Sequence, residues 1–486
     1  MSTQPQQAKQ VGIKTDLREN AMGLPGVLMQ GIATIAPAFS ILAAFVFTVS
    51  LAGLVTPWAY LIAAIILAIQ ALSTAQVAKE FPSAGGWYTW IARTLEPRTG
   101  FLAGWVFTIW LPPVGALTFA FLAKTVLEPA IKQYYGVTIY WWIYVIIGLA
   151  LVTWWAFAGI KVSERLMIIT GVIEIVLMVA LAITGLARPG PGGLNASSFS
   201  FSNFSHAPNM FLAIVFTIFA YSGWEATGPI AEESRNPKKL IPLGLIGSVL
   251  VLMVYEVFAS WGYLVGIGTR KAGSIPTATA WPVATLAQHL WAGAWILLLF
   301  ALLNSTIAVS IACFNGGTRT WYAMGRSGVL PAWLGKVSPT RKTPDNAITL
   351  ELLVNVVAFA LAIIFGVANV FFTWALTITL GLILMYILSN IGVMKYYLGE
   401  ARSRFNPFLH GVIPVVATVA VGYVGYKSVV PLPAAPVKWA PIIFVVYMLI
   451  GIVILIYLRI RGRDEWLGKA GLAMAEPDVA APEEAT

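Results

Sequence analysis

Residues 23–50 read GLPGVLMQGIATIAPAFSILAAFVFTVS, a run of about 28 residues where roughly 20 apolar ones suffice to cross the hydrocarbon core of a bilayer. Its middle, Gly31-Ile-Ala-Thr-Ile-Ala-Pro37-Ala-Phe-Ser40, holds a proline that lacks a backbone donor and clashes with the preceding turn. A kink or break is therefore expected there. The rest of the chain suits lipid as well. Of its 486 residues 59% are hydrophobic and 10% charged, with a mean hydropathy of +0.81. Soluble proteins carry roughly 25% charged and about 45–50% apolar residues, so a soluble multidomain enzyme is excluded. A single cysteine, Cys313, rules out an intrachain disulfide framework and a Cys-rich metal site. His206, His289 and His410 stand far apart without ligand spacing, which leaves a haem or metal enzyme little to build from. The composition is that of an all-α polytopic membrane protein.

Extending from the first run gives twelve candidate spans, near 23–50, 54–78, 100–126, 140–160, 164–187, 209–231, 241–266, 293–322, 347–367, 370–394, 409–429 and 439–460. The polar residues 1–22 and the length of the first run do not suit a cleavable signal peptide. Residues 461–486, rich in Ala, Pro and Glu towards the end, read as a disordered tail. With both termini in the cytosol, 23 of the 30 lysines and arginines fall on the inner side. Lys124, Lys132, Arg188, Arg270, Lys271, Lys427 and Lys438 are left outside. That asymmetry sets the orientation and assigns the net charge of +10 to topology rather than to nucleic acid.

A second interruption stands in span 6, which contains Phe219-Ala-Tyr-Ser-Gly-Trp-Glu225. Spans 1 and 6 hold corresponding places if spans 1–5 (residues 23–187) and 6–10 (residues 209–394) are two repeats of five, separated by an external loop over 188–208. Paired interruptions of this kind point to the central site of a transporter, because a broken helix exposes amides and carbonyls that can coordinate substrate or ions. Taken singly, each is also what an ordinary proline or glycine kink looks like. A side chain at Gly223 would fill space needed by substrate or by the unwound backbone.

Three segments then carry a family resemblance. Residues 80–105, EFPSAGGWYTWIARTLEPRTGFLAGW, resemble the first cytosolic loop of the amino acid–polyamine–organocation (APC) permeases. Residues 219–242, FAYSGWEATGPIAEESRNPKKLIP, are similar to that superfamily's sixth helix and following loop. Residues 322–344, YAMGRSGVLPAWLGKVSPTRKTP, resemble its loop after helix 8. The resemblance implies a 5+5 inverted repeat with helices 1 and 6 broken, helices 11 and 12 (residues 395–460) outside it, and transport by alternating access. It places substrate against Ile35, Ala36, Pro37, Ala38 and Ser40 in helix 1, Trp110 in helix 3, and Phe219, Ser222, Gly223 and Glu225 in helix 6. Phe219 takes the place of the family's aromatic gate. Many members carry a Gly-x-Gly cradle for the substrate carboxylate, where this chain has Ile35-Ala-Pro-Ala38. An anion is still expected near Ala38 to Ser40, at the start of the second half-helix. Several members have a lysine in helix 5; Glu174 stands at that position, so the lysine mechanism does not carry over.

Glu174, Glu225 and Glu256 fall deep within spans 5, 6 and 7, whereas Lys124, Arg319 and Lys427 sit near span ends and can snorkel. A buried carboxylate is costly unless it is neutral or meets a cation. Three deep acids therefore favour a proton, a metal cation or an amine as the travelling charge. Glu225 serves either as a cap for the half-helix after Gly223 or as a contact for substrate or proton. Glu174, about nine residues or roughly 14 Å beyond Arg165, is too far to pair with it and is a proton-site candidate. Glu256 fits a neutral packing role. Tyr221 and Trp224 read as packing aromatics. A sodium site would draw on Ser305, Thr306 and Ser310, although hydroxyls in helices usually bond to their own backbone. No nucleotide loop of the form G-x-x-x-x-G-K-[ST] is present.

The expected function is secondary transport of amino acids or related amines across a plasma membrane, without a cofactor and with the proton as coupling ion. Sodium coupling stays open. The rivals are a polyamine or alkylamine permease, an amino-acid exchanger, a non-transporting nutrient sensor and a membrane-embedded transferase, for which no catalytic cluster appears. Oligomeric state is not legible.

Overall fold

The computed structural model describes residues 16–207, 209–270, 282–433, 435–462 and 464–471. Residues 1–15 of the N-terminal segment, Lys271, Arg463 and residues 472–486 of the tail lie outside the described residues. In a bilayer every backbone donor and acceptor must be satisfied within the chain, which selects helices. Among the described residues no strand occurs; the one β-bridge pairs Met22 with Ser234.

The first interrupted run forms α1 (Leu24–Ile35) and α2 (Pro37–Ala52), and a 3-10 turn at Gly53–Val55 leads into α3 (Thr56–Ala78). A short α4 (Trp87–Thr94) precedes α5 (Pro97–Trp110) and α6 (Val114–Leu122), which are parted at Pro112 and Pro113. Then come α7 (Glu128–Tyr135), α8 (Trp141–Ala158), α9 (Ile160–Ala187) and α10 (Met210–Ala220). A 3-10 helix over Trp224–Glu233 continues α10 after a break and leads to α11 (Pro237–Ile267). The remainder is α12 (Pro282–Trp291), α13 (Ile296–Ser327), α14 (Asp345–Phe365), α15 (Val367–Leu398), α16 (Ile413–Val429) and α17 (Ala440–Ile460).

Among the described residues eleven stretches are long and apolar enough to cross a membrane. The first, Leu24–Ala78, runs 55 residues and takes in both of the first two expected spans, because only the 3-10 turn separates them. Helices α4, α7 and α12 had no counterpart among the expected spans.

Small residues let the central helices approach closely. A Cβ on Gly262 of α11 would lie 2.6 Å from Ala182 of α9, and one on Gly185 would lie 2.5 Å from the Gly262 carbonyl. Polar side chains bind α3 to α15: Asn390 accepts from Ser73 at 2.6 Å and donates to Gln70 at 2.9 Å, all three buried. At the end of the bundle where α1 begins and α13 finishes, Arg319 pairs with Glu233 at 2.7 Å and Arg326 with Glu232 at 2.6 Å. The Met22 amide donates to the Glu233 carbonyl there, and Trp466 is buried against Phe101 and its neighbours. This end is closed.

Candidate functional site

The α1–α2 break falls on Ala36, which takes a left-handed conformation at φ 60°, ψ 70°. Pro37 is the cause, since the residue before a proline is driven out of the α region. The first amides of α2 consequently have no partner of their own. Glu174 of α9 supplies one: its Oε1 accepts from the Ala38 N–H at 2.6 Å and from the Ser305 hydroxyl at 2.6 Å. Ser305 in turn accepts from the Phe39 N–H at 3.2 Å. Asn304 donates weakly to Glu174 Oε2 at 3.4 Å and more closely to the Thr170 carbonyl at 2.7 Å. The Ser40 amide bonds to the Ala36 carbonyl at 2.8 Å. The amides at Ala38 to Ser40, where an external anion was expected, are thus all engaged from within the chain. The physical reason is that a buried half-helix must be capped whether or not a ligand is bound.

The second break begins after Ala220 and turns at Gly223, φ 142°. The Gly223 N–H donates to Glu225 Oε2 at 2.7 Å, so Glu225 does cap the break, while its Oε1 is buried with no partner. The two breaks touch. A Cβ on Gly223 would lie 2.6 Å from the Thr34 carbonyl carbon and 2.7 Å from the Ile35 nitrogen. Of the two possibilities for a side chain at Gly223, substrate space or unwound backbone, the geometry gives the second: it would strike the backbone of α1 just before its break. Gln30 ties the region together, donating to the Ala312 carbonyl at 2.8 Å.

Between the breaks lies a cavity of about 60 Å³, room for a few waters. Six expected contacts line it: Ile35, Ala36, Ser40, Trp110, Phe219 and Ser222. Pro37, Ala38, Gly223 and Glu225 stand outside its lining, Glu225 turned back onto its own cap. Among the wall residues missed from the sequence are Thr118, Cys313, Phe371 and Trp374. Phe371 and Trp374 gave no signal among many aromatics. The bend after Trp110, at Pro112 and Pro113, is held by a residue distant in the chain. Asn355 of α14 accepts from the Ala116 N–H at 2.7 Å and donates to the Pro112 carbonyl at 2.6 Å, bridging the gap that the prolines leave in the ladder.

Glu256 is fully buried; Ser40 donates to its Oε1 at 3.4 Å and its Oε2 has no partner. The Tyr221 hydroxyl stands beside it at the limit of hydrogen bonding, and the Tyr60 hydroxyl lies within electrostatic reach. Glu351 is a fourth deep acid that went unrecognised, completely buried with neither oxygen hydrogen-bonded. Arg319 does not snorkel. It is 1% exposed, because α13 runs on to Ser327, five residues beyond the expected end of its span. Thr306 and Ser310 donate back to the Leu302 and Thr306 carbonyls at 2.9 and 2.7 Å, and Ser305 donates to Glu174, so each of the three sodium candidates spends its proton within the chain. Among the described residues no group of three or more His, Cys, Asp or Glu could hold a metal ion.

A model of the amino acid permease family matches residues 26–463. The low-affinity putrescine importer PlaP of Escherichia coli is 23% identical over 423 residues, covering 84% of this chain and 88% of that protein. The branched-chain amino acid permease BcaP of Bacillus subtilis is 28% identical over 305 residues, 59% and 63% of the two chains. Its namesake from Lactococcus lactis is 25% identical over 406 residues, 76% and 80%.

Proposed function

The chain belongs to the amino acid permease family, and from that premise we propose that it carries amino acids or related amines across the plasma membrane by alternating access, driven by a proton gradient. It is a transporter, not an enzyme. The observation that carries this reading is the small cavity lined by the α1–α2 break, by Phe219 and Ser222 just before Gly223, and by Trp110 and Val114 on either side of the Pro112–Pro113 bend. Unwound backbone at such a place lets the substrate be held while the half-helices on either side tilt. Phe219 and Trp110, both on the wall, act as aromatic lids.

In this reading both termini are cytosolic and twelve helices cross the membrane. The 55-residue stretch would be roughly 80 Å long as a helix, against about 30 Å of hydrocarbon, and so accounts for two crossings. Residues 23–187 and 209–394 form the two inverted repeats. Helices α16 and α17 stand beside them. Glu225, with one oxygen engaged and the other buried and unpartnered, is the first proton carrier; Glu174, on the α2 cap, is the second. When Glu225 takes up or loses its proton, the cap on the Gly223 break changes strength, which couples the ion to the movement of the half-helix.

Purified protein in liposomes tests this, with a panel of amino acids and amines, under an imposed inward proton gradient and as exchange between loaded vesicles. Glu225→Gln is expected to abolish gradient-driven net uptake while exchange persists. Full gradient-driven uptake by that variant removes Glu225 from coupling, and Glu174→Gln then tests the other acid. If no member of the panel is taken up or exchanged, the transporter reading itself fails.

A further inference from the structure

We propose that the cavity selects an amine bearing no carboxylate, with Glu256, presented through Ser40, as counter-charge for its ammonium group; this deepens the transporter reading above and rests on it. Two sets of observations lead there, one against an anion and one for a cation.

An entering carboxylate would find neither a positive charge on the wall nor a free amide at the start of α2. The donors at the start of α2 are taken: Ala38 by Glu174, Phe39 by Ser305 and Ser40 by the Ala36 carbonyl. Glu174 sits where a substrate carboxylate would have to sit. No lysine, arginine or histidine lines the cavity. The buried Arg319 is committed to Glu233 and Thr318. Stripping water from a carboxylate without supplying donors or a positive charge is strongly unfavourable.

An ammonium group meets the opposite situation. Ser40 is on the cavity wall and its hydroxyl reaches Glu256 over a long 3.4 Å contact. Behind it, Glu256 Oε2 and the Tyr221 and Tyr60 hydroxyls are all buried, and none has a partner in full hydrogen-bond geometry, the Tyr221 hydroxyl standing beside the carboxylate. Buried polar atoms are normally paired. A buried carboxylate with one oxygen open and two tyrosine hydroxyls beside it, next to a cavity, describes a polar nest that a donor-rich guest can complete. An ammonium brings three donors and a positive charge. Swinging the Ser40 hydroxyl aside opens Glu256 to it, and the faces of Trp110 and Phe219 on the same wall favour a cation further.

Matched pairs that differ by one carboxylate separate the outcomes: putrescine against ornithine, and isobutylamine against valine. Reconstituted wild-type protein is expected to bind and transport the decarboxylated member of each pair at least about tenfold more tightly. Glu256→Gln keeps the shape and removes the charge, and should weaken amine binding by about 30-fold or more. Should Glu256→Gln fail to fold, Ser40→Val leaves the acid in place but cuts its link to the cavity, and should produce a loss of the same kind. Ornithine and valine handled as well as their partners overturn the inference and leave the transporter reading standing. Unchanged amine affinity in a folded Glu256→Gln or Ser40→Val variant overturns the assignment of Glu256. Failure of all four compounds to bind or move overturns this inference and counts against the reading beneath it, which the wider panel then decides.

Discussion

Replacing Glu174 with alanine takes away the acceptor shared by the Ala38 amide and the Ser305 hydroxyl, each 2.6 Å from the same oxygen. Ala38 is completely buried, so its N–H is left unsatisfied at about 1–3 kcal/mol. Ser305 suffers less, because it still accepts from Phe39 and can turn its proton towards a carbonyl of its own helix. The vacated volume adds about 1 kcal/mol. The total is about 2–4 kcal/mol. Glutamine, by contrast, retains an oxygen for both donors. Its amide faces only the weak 3.4 Å contact from Asn304, whose closer bond goes to Thr170, so the loss stays under about 1 kcal/mol. Denaturation of the purified protein in detergent should therefore rank wild type and Glu174→Gln together and Glu174→Ala clearly below. Hydrogen exchange at the Ala38 amide should speed up in the alanine variant alone. Equal stability of the alanine and glutamine variants, with unchanged exchange at Ala38, would refute the view that this carboxylate closes the break.

Two other perturbations follow from the packing. Arg319→Met leaves Glu233 buried without its cation and should destabilise by about 3–5 kcal/mol, much of it restored by adding Glu233→Gln; thermal unfolding of the single and double variants decides, and equal stability of single variant and wild type refutes the pairing. Gly223→Ala forces a Cβ against the Thr34 carbonyl from a positive φ, so folding yield and thermal stability should fall along with transport; a variant as stable as wild type would mean the two breaks are not in contact.

Much of the architecture was readable because its causes are local. Apolar runs set the spans, Pro37 broke the first helix one residue before itself, and Gly223 turned the other. The parts that were not readable depend on residues far apart in the chain. Nothing near Pro112 announces that Asn355 will bridge its gap, and nothing near Ala38 announces Glu174. Arg319 was misjudged because hydropathy falls off where the helix does not: α13 continues past the apolar run and carries the charge into a buried pair. Glu351 was missed for a related reason. It lies near the start of its span, yet the neighbouring Gly317 lets α13 approach closely enough to bury it, with a Cβ there only 2.7 Å from the carboxylate.

The chain holds one cysteine, and its place is telling: Cys313 is 1% exposed and forms part of the cavity wall. In a state with both ends shut, no reagent in water could touch it. Once the bundle opens on one side, the thiol faces the medium on that side only. The native protein thus carries its own signal of which way it faces. A charged, membrane-impermeant alkylating agent, added to right-side-out and to inverted vesicles, reads the two orientations without any mutation, and a bound substrate, filling the same small space, shields the sulfur in proportion to its occupancy.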